Sequence, residues 1–222
     1  MKTNKLLPHR SLLNVLTLGF IIVVLSQCTV MSFYPLYTKN ELVKDDRIMG
    51  TWMSRLITEE VSKDSLVWEI SLFGKNVKTE NQKSPQNKTY WLKLYPSENP
   101  KDVVEFKIHI VHLKNEYYLD FLLEEMPYEN IFAIIHLMPV HTFAKLEFNE
   151  NELTVKWFNS ELLEDLLKTQ KIRIKHEKRM DGAQLLTAKP KELQEFIINY
   201  SNHADAYLKE LSFNLTPYAK NS

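Results

Sequence analysis

The sequence has one cysteine, Cys28, in 222 residues. A lone thiol cannot close an intramolecular disulfide, so no bridge framework supports the fold. Glycine is scarce, with four in the chain. That leaves no glycine-rich loop to cradle a phosphate and no Gly-X-Ser-X-Gly turn to present a nucleophile. Net charge is missing as well, since 28 basic residues balance 28 acidic ones. Without a basic excess there is no long-range attraction for nucleic acid, and none is expected as a partner. Long apolar runs are also absent. The uninterrupted stretch Phe20–Leu25 falls far short of the ~20 residues that span a bilayer.

What the N-terminus does contain is an address. Residues 1–27 carry Lys2, Lys5 and Arg10 and no acid, followed by an apolar segment interrupted by Asn14, Thr17 and Gly19. This is the layout of a secretory signal. Its end, "LSQC" at 25–28, resembles the lipobox of bacterial lipoproteins, with Gln27 where that family carries Gly or Ala. The resemblance implies cleavage between Gln27 and Cys28 and lipidation of Cys28. A single acyl chain holds a membrane only marginally, whereas two or more, at ~0.8 kcal/mol per buried CH₂, anchor stably.

From residue 47 onward the apolar residues alternate. Leu66, Trp68, Ile70 and Leu72 share one face, as do Val104, Phe106, Ile108 and Ile110, and Tyr117, Leu119, Phe121 and Leu123. Period two over such stretches is the mark of half-buried strands. Further strands are expected at 48–56, 89–97, 152–158, 171–180 and 183–188, with a hairpin at Asp181-Gly182. The run 131–148 is too long for one strand, and Pro139 should break it. Polar loops are expected at 57–64 and 74–88.

The period changes at 160–169, where Leu162, Leu163, Leu166 and Leu167 make a helical stripe behind a Ser160 cap. It changes again at 189–211. The expected fold is mainly β, a β-rich α+β chain. An antiparallel sheet of about eight or nine strands must curl strongly or close into a barrel. The expected organisation is a signal peptide at 1–27, a lipid-anchored tether at 28–46 and a barrel at 47–188 with the helix 160–169 inserted. A C-terminal amphipathic helix at 189–211 packs on the barrel, and a flexible tail covers 212–222.

"GTW", Gly50 to Trp52, opens the first strand and resembles the Gly-X-Trp signature of lipocalins. The resemblance implies a Trp that plugs one end of a barrel and an Arg packed across its indole. Arg173 is the candidate, with Arg55 second. More broadly, "YPLYTKNELVKDDRIMGTW", "HLMPVHTF" and "LLTAKPKELQEFIINY" resemble stretches of uncharacterised bacterial envelope lipoproteins. That likeness implies a cell-envelope location, lipid-anchored in the outer membrane and facing the periplasm.

Candidate chemistry is sparse, and no catalytic residue is expected. His112 and His176 fall on apolar faces, and His136 and His141 flank the Pro139 bend. Three imidazoles in a barrel mouth could take zinc. No His-Glu-X-X-His or Cys-X-X-Cys spacing supports that, so structural histidines and no cofactor are expected. Glu69, Glu105 and Asp120 read as solvated outer-face carboxylates. Trp68, Phe106, Tyr117 and Trp157 are the candidate lining of an apolar pocket. The expected function is therefore a non-catalytic, lipocalin-like binder of a small apolar or lipidic molecule, held to the membrane by its N-terminal lipid. The alternatives are an interaction or structural module of an envelope complex, with no partner named, and a His-dependent metal enzyme.

Overall fold

The alternation in the sequence becomes two faces of a closed sheet. The computed structural model describes residues 29–56, 65–74, 88–125 and 138–219. Gln27, Cys28, His136, the loop 57–64 and most of the loop 74–88 lie outside the described residues. In chain order the strands are β1 (Met31–Ser32), β2 (Leu42–Val43), β3 (Gly50–Leu56), β4 (Leu66–Leu72), β5 (Thr89–Pro96), β6 (Val104–Leu113), β7 (Glu116–Glu125), β8 (His141–Phe148), β9 (Leu153–Phe158), β10 (His176–Lys178), β11 (Gln184–Leu186) and β12 (Tyr207–Pro217). Helices α1 (Ser160–Lys168) and α2 (Pro190–Tyr200) stand between β9 and β12.

Strands β3 to β9 pair antiparallel, each with the next. Strand β12 then pairs antiparallel with both β9 and β3. The result is a closed eight-stranded antiparallel barrel with four further strands and two helices. Closure satisfies the backbone groups that an open sheet would leave at its edges.

Inward-pointing residues such as Trp68, Ile70, Leu92, Ile108, Leu119, Leu146 and Val155 form one buried cluster. Part of the outer face of β6 to β9 is buried as well. Val111, Tyr118, Phe143 and Phe158 pack there against Leu162, Leu163 and Leu166 of α1 and Leu193, Phe196 and Ile197 of α2. Each fully buried Leu, Ile or Phe contributes about 1.5–3 kcal/mol, so this second layer is a major part of the fold's stability. Asn159, not Ser160, caps α1, accepting the Glu161 amide at 3.0 Å on its side-chain oxygen.

The C-terminal expectation is corrected. The helix ends at Tyr200, and residues read as its last turns, together with residues read as a loose tail, form β12. Leu211, Leu215 and Ser212 are buried there. In the sequence a 3.6-residue stripe runs from Leu193, Phe196 and Ile197 on through Leu208 and Leu211, but its last members have a second explanation. A register shift lies between Tyr207 and Ser212. Ser212 Oγ donates to the Leu208 carbonyl at 2.6 Å inside that irregularity. The two-residue period resumes at Leu211, Phe213 and Leu215. The unpaired edges of β3 and β9 outweigh local helix preference, as tertiary context commonly does.

One other segment departs from expectation, while apolar residues of the tether pack on the domain as their character requires. The strand expected at 171–180 is short, confined to β10, and its hairpin through Asp181 and Gly182 pairs with β11 outside the barrel. β11 pairs in parallel with β1, and β1 pairs with β8. Together β10, β11 and β1 form a ledge beside β8. The tether is also docked. Val30 and Leu36 are fully buried, and Thr29 bridges to Asn159. Strand β2 continues the sheet along β6 beyond the point where β5 stops.

Candidate functional site

One end of the barrel is plugged by the segment that leads into β3. Val43, Ile48 and Met49 all pack against the interior cluster. A 3₁₀ turn at Asp46–Ile48 aims Ile48 inward, and Trp52 Nε1 donates to the Ile48 carbonyl at 2.9 Å. Gly50 has φ of 140°, a backbone region that side chains disfavour, so glycine here lets the chain bend sharply from plug into strand. Gly50 and Trp52 thus stand at the plugged end. Arg173 does not join them. It is exposed, in the segment before β10, and its neighbour Ile174 packs with the helices instead. The strand that flanks Trp52 late in the chain is β12, where Pro217 is its register partner. The arginine near this end is Arg47, whose guanidinium lies 4.0 Å above the Phe148 ring.

The barrel interior toward the other end is aromatic. Trp68 lies 5.9 Å from Trp157, 6.3 Å from Phe121 and 6.3 Å from Phe213, ring centre to ring centre. Phe121 stacks on Trp157 at 5.0 Å and meets Phe106 edge-on at 6.2 Å. These rings come from β4, β6, β7, β9 and β12 and meet across the lumen. Of the four expected pocket residues, Trp68, Phe106 and Trp157 therefore gather in one cluster. Tyr117 sits apart, with Phe148 and His112. Trp68 is 1% exposed, yet its indole N–H has no hydrogen-bond partner. A buried donor left unmet costs about 1–3 kcal/mol, and this one sits within the aromatic cluster.

A polar node lies on the outer face of the same strands, beneath the N-terminal segment. Asp120, on β7, is completely buried. One carboxylate oxygen accepts the Leu36 amide at 2.8 Å, and the other is 2.7 Å from His141 Nδ1. The Leu36 carbonyl accepts from Gln194 Nε2 of α2 at 2.9 Å. His109, the register partner of Asp120 on β6, is buried beside them. Its Nε2 lies 3.0 Å from Thr89 Oγ1 and 3.4 Å from the Tyr37 hydroxyl, and its ring is 4.5 Å from the Tyr37 ring. The solvated-carboxylate reading of Asp120 is corrected here, because residues 29–37 cover it. The apolar Leu36 and Tyr37 were the signal that this segment needed a surface to lie on.

A carboxylate holding a histidine Nδ1 is half of a nucleophile-activating relay. The other half is missing. Ser32 is the register partner of His141, but its hydroxyl donates to the Leu186 carbonyl at 3.4 Å and accepts from the Tyr34 amide. The node instead fastens the N-terminal segment to the barrel. The other described histidines are scattered. His112 sits beside Tyr117, and His176 is exposed on β10 with Nδ1 at the Ile174 carbonyl. Among the described residues no group of three or more His, Cys, Asp or Glu is arranged to hold a metal ion.

Burial pushes the His109 imidazole down to about 4, against the opposing pull of Asp120. The unfolded chain takes up this proton as pH falls through about 6.5, while the folded chain takes it up only near 4. The stability contribution is complete above pH ~6.5 and is lost across the window down to about 4, by about 3 kcal/mol. Denaturant unfolding at stepped pH should show this slope for the natural chain. His109→Gln should flatten it, and an unchanged slope in that variant would assign it elsewhere.

The fold and its interior define the class of this protein as a small, one-end-plugged, up-and-down β-barrel with an aromatic lumen. No family model, curated protein or solved structure matches the chain. No helix among the described residues is long and apolar enough to cross a membrane.

Proposed function

We propose that this protein is a lipid-anchored, cell-envelope barrel of lipocalin-like design that binds a small apolar or lipidic molecule. The observation that carries the binding reading is the unpartnered Trp68 indole N–H inside a closed, aromatic barrel. An amphiphile fits that chemistry. Its acyl or ring portion replaces side-chain contacts, and one polar acceptor, such as a carboxylate, meets the buried donor. The anchoring reading is supported by the "LSQC" stretch ahead of the first docked residue, Thr29. In this reading the protein faces the periplasm from the outer membrane, held by acyl chains on Cys28.

Titration with oleate, read by tryptophan emission, tests the binding. Saturable quenching or a blue shift is expected from Trp68 and Trp157. Trp68→Phe keeps an aromatic ring and removes the donor, so affinity should fall about tenfold, equivalent to one hydrogen bond. Absence of saturable binding to oleate and to lipids extracted with the protein would end this reading. Anchoring is tested separately by fractionating cells that carry Cys28→Ser. Release from the membrane fraction is expected, and unchanged membrane retention would refute acylation at this residue.

A further inference from the structure

We propose that the ledge formed by β10, β11 and β1 rests on an anionic bilayer surface and fixes how the barrel stands on the membrane. The segment 171–180 contains Lys171, Arg173, Lys175, Lys178 and Arg179 against a single acid, Glu177, and all of these side chains are exposed. Arg179 pairs with Asp181, whereas the other four bases pair with no carboxylate among the described residues. Lysine on an edge strand is an ordinary guard against aggregation, and that would explain Lys178 alone. It does not explain the apolar groups beside it. Met180, at the hairpin tip, is fully exposed, Phe33 is 47% exposed and Tyr34 is 36% exposed. Phe33 donates its amide to the Leu186 carbonyl of β11, and Leu186 is the register partner of His176 on β10. Aromatic and methionine side chains interleaved with bases are the composition of a surface that sits at the headgroup boundary.

The position of the chain's start selects a bilayer as the partner. Arg179 reaches Met31, with Nη1 3.2 Å from the thioether sulfur, so the hairpin tip touches the first strand. Thr29 is two residues before Met31, and the apolar N-terminal segment ends at residue 27. Whatever membrane hold precedes Thr29 therefore delivers this ledge to the headgroups without a spacer. Each lysine or arginine near an anionic surface strengthens its attachment about fivefold, so four unpaired bases suffice to orient an attached domain.

This inference rests on the anchoring proposed above, and the experiment separates the two. The full chain, purified from membranes, is reconstituted on vesicles of phosphatidylcholine alone or with 30% phosphatidylglycerol. Flotation reads attachment, and amide hydrogen exchange reads the surface. Exchange across 171–180 is expected to slow at least about tenfold on the anionic vesicles and to recover in high salt. The triple variant Lys171→Glu, Lys175→Glu, Lys178→Glu should lose that protection and still float. Equal exchange on both vesicle types overturns the proposal whether or not the protein floats. Protection produced only by an acidic protein or by nucleic acid also overturns it. Failure to float with phosphatidylcholine alone, with protection on the anionic vesicles intact, would refute the anchor and uphold the surface.

Discussion

A chain ending at Ala206 should fail to fold. Circular dichroism is expected to show loss of the β signal, and heating should give no cooperative transition. The reason is geometric. β12 hydrogen-bonds to β3 on one side and β9 on the other, so its removal opens the barrel and exposes two strand edges at once. It also uncovers the lumen, because Phe213 lies against both Trp68 and Trp157. Leu211 and Leu215 are buried in the same strand. Burial of about 1.5–3 kcal/mol for each such side chain, added to the lost ladder, is comparable with the whole stability of a typical domain. A helix ending at residue 211 with a loose tail behind it would have left the rest of the barrel closed after the same truncation. Removal of residues 220–222 alone should leave the melting transition in place, and a folded, cooperative barrel from the chain ending at Ala206 would contradict the assigned closure.

Asp120→Ala should destabilise the protein by about 2–5 kcal/mol, because it leaves two buried hydrogen-bonding groups without a partner at about 1–3 kcal/mol each. The loss has three parts. The Leu36 amide loses its acceptor, His141 loses the group that holds Nδ1, and a small void opens under the N-terminal segment. Asp120→Asn should cost less. An amide oxygen still accepts from Leu36, and its NH₂ donates to His141 in the other tautomer. Equilibrium denaturation measures both variants, and exchange at the Leu36 amide locates the effect. A loss below about 1 kcal/mol for Asp120→Ala would show that the node does not fasten this segment.

Legibility tracked distance along the chain. Alternation within a strand, the Asp181-Gly182 turn and the leucine stripe of α1 are local signals, and they predicted strands β3 to β9, the β10–β11 hairpin and the inserted helix. The aromatic residues Trp68, Phe106 and Trp157 were readable as inward-facing by the same parity. What joins distant residues was not readable. Asp120 and His109 occupy polar positions on their strands, and only the covering segment, 84 residues earlier than Asp120, makes them buried. Arg173 looked like a late barrel residue because "KIRIK" alternates. The strand that takes that place is β12, whose stripe also satisfied a helical period until the unpaired edges of β3 and β9 decided between them.

The proposed anchor and binding function are tested most directly by native mass spectrometry of the protein extracted from the cells that produce it. The expected result is a chain shortened to begin at Cys28, heavier by a diacylglyceryl-type adduct on that residue, together with a non-covalently retained amphiphile released on activation. An uncleaved chain with a free Cys28 thiol and no retained small molecule would contradict both the anchor and the binding function.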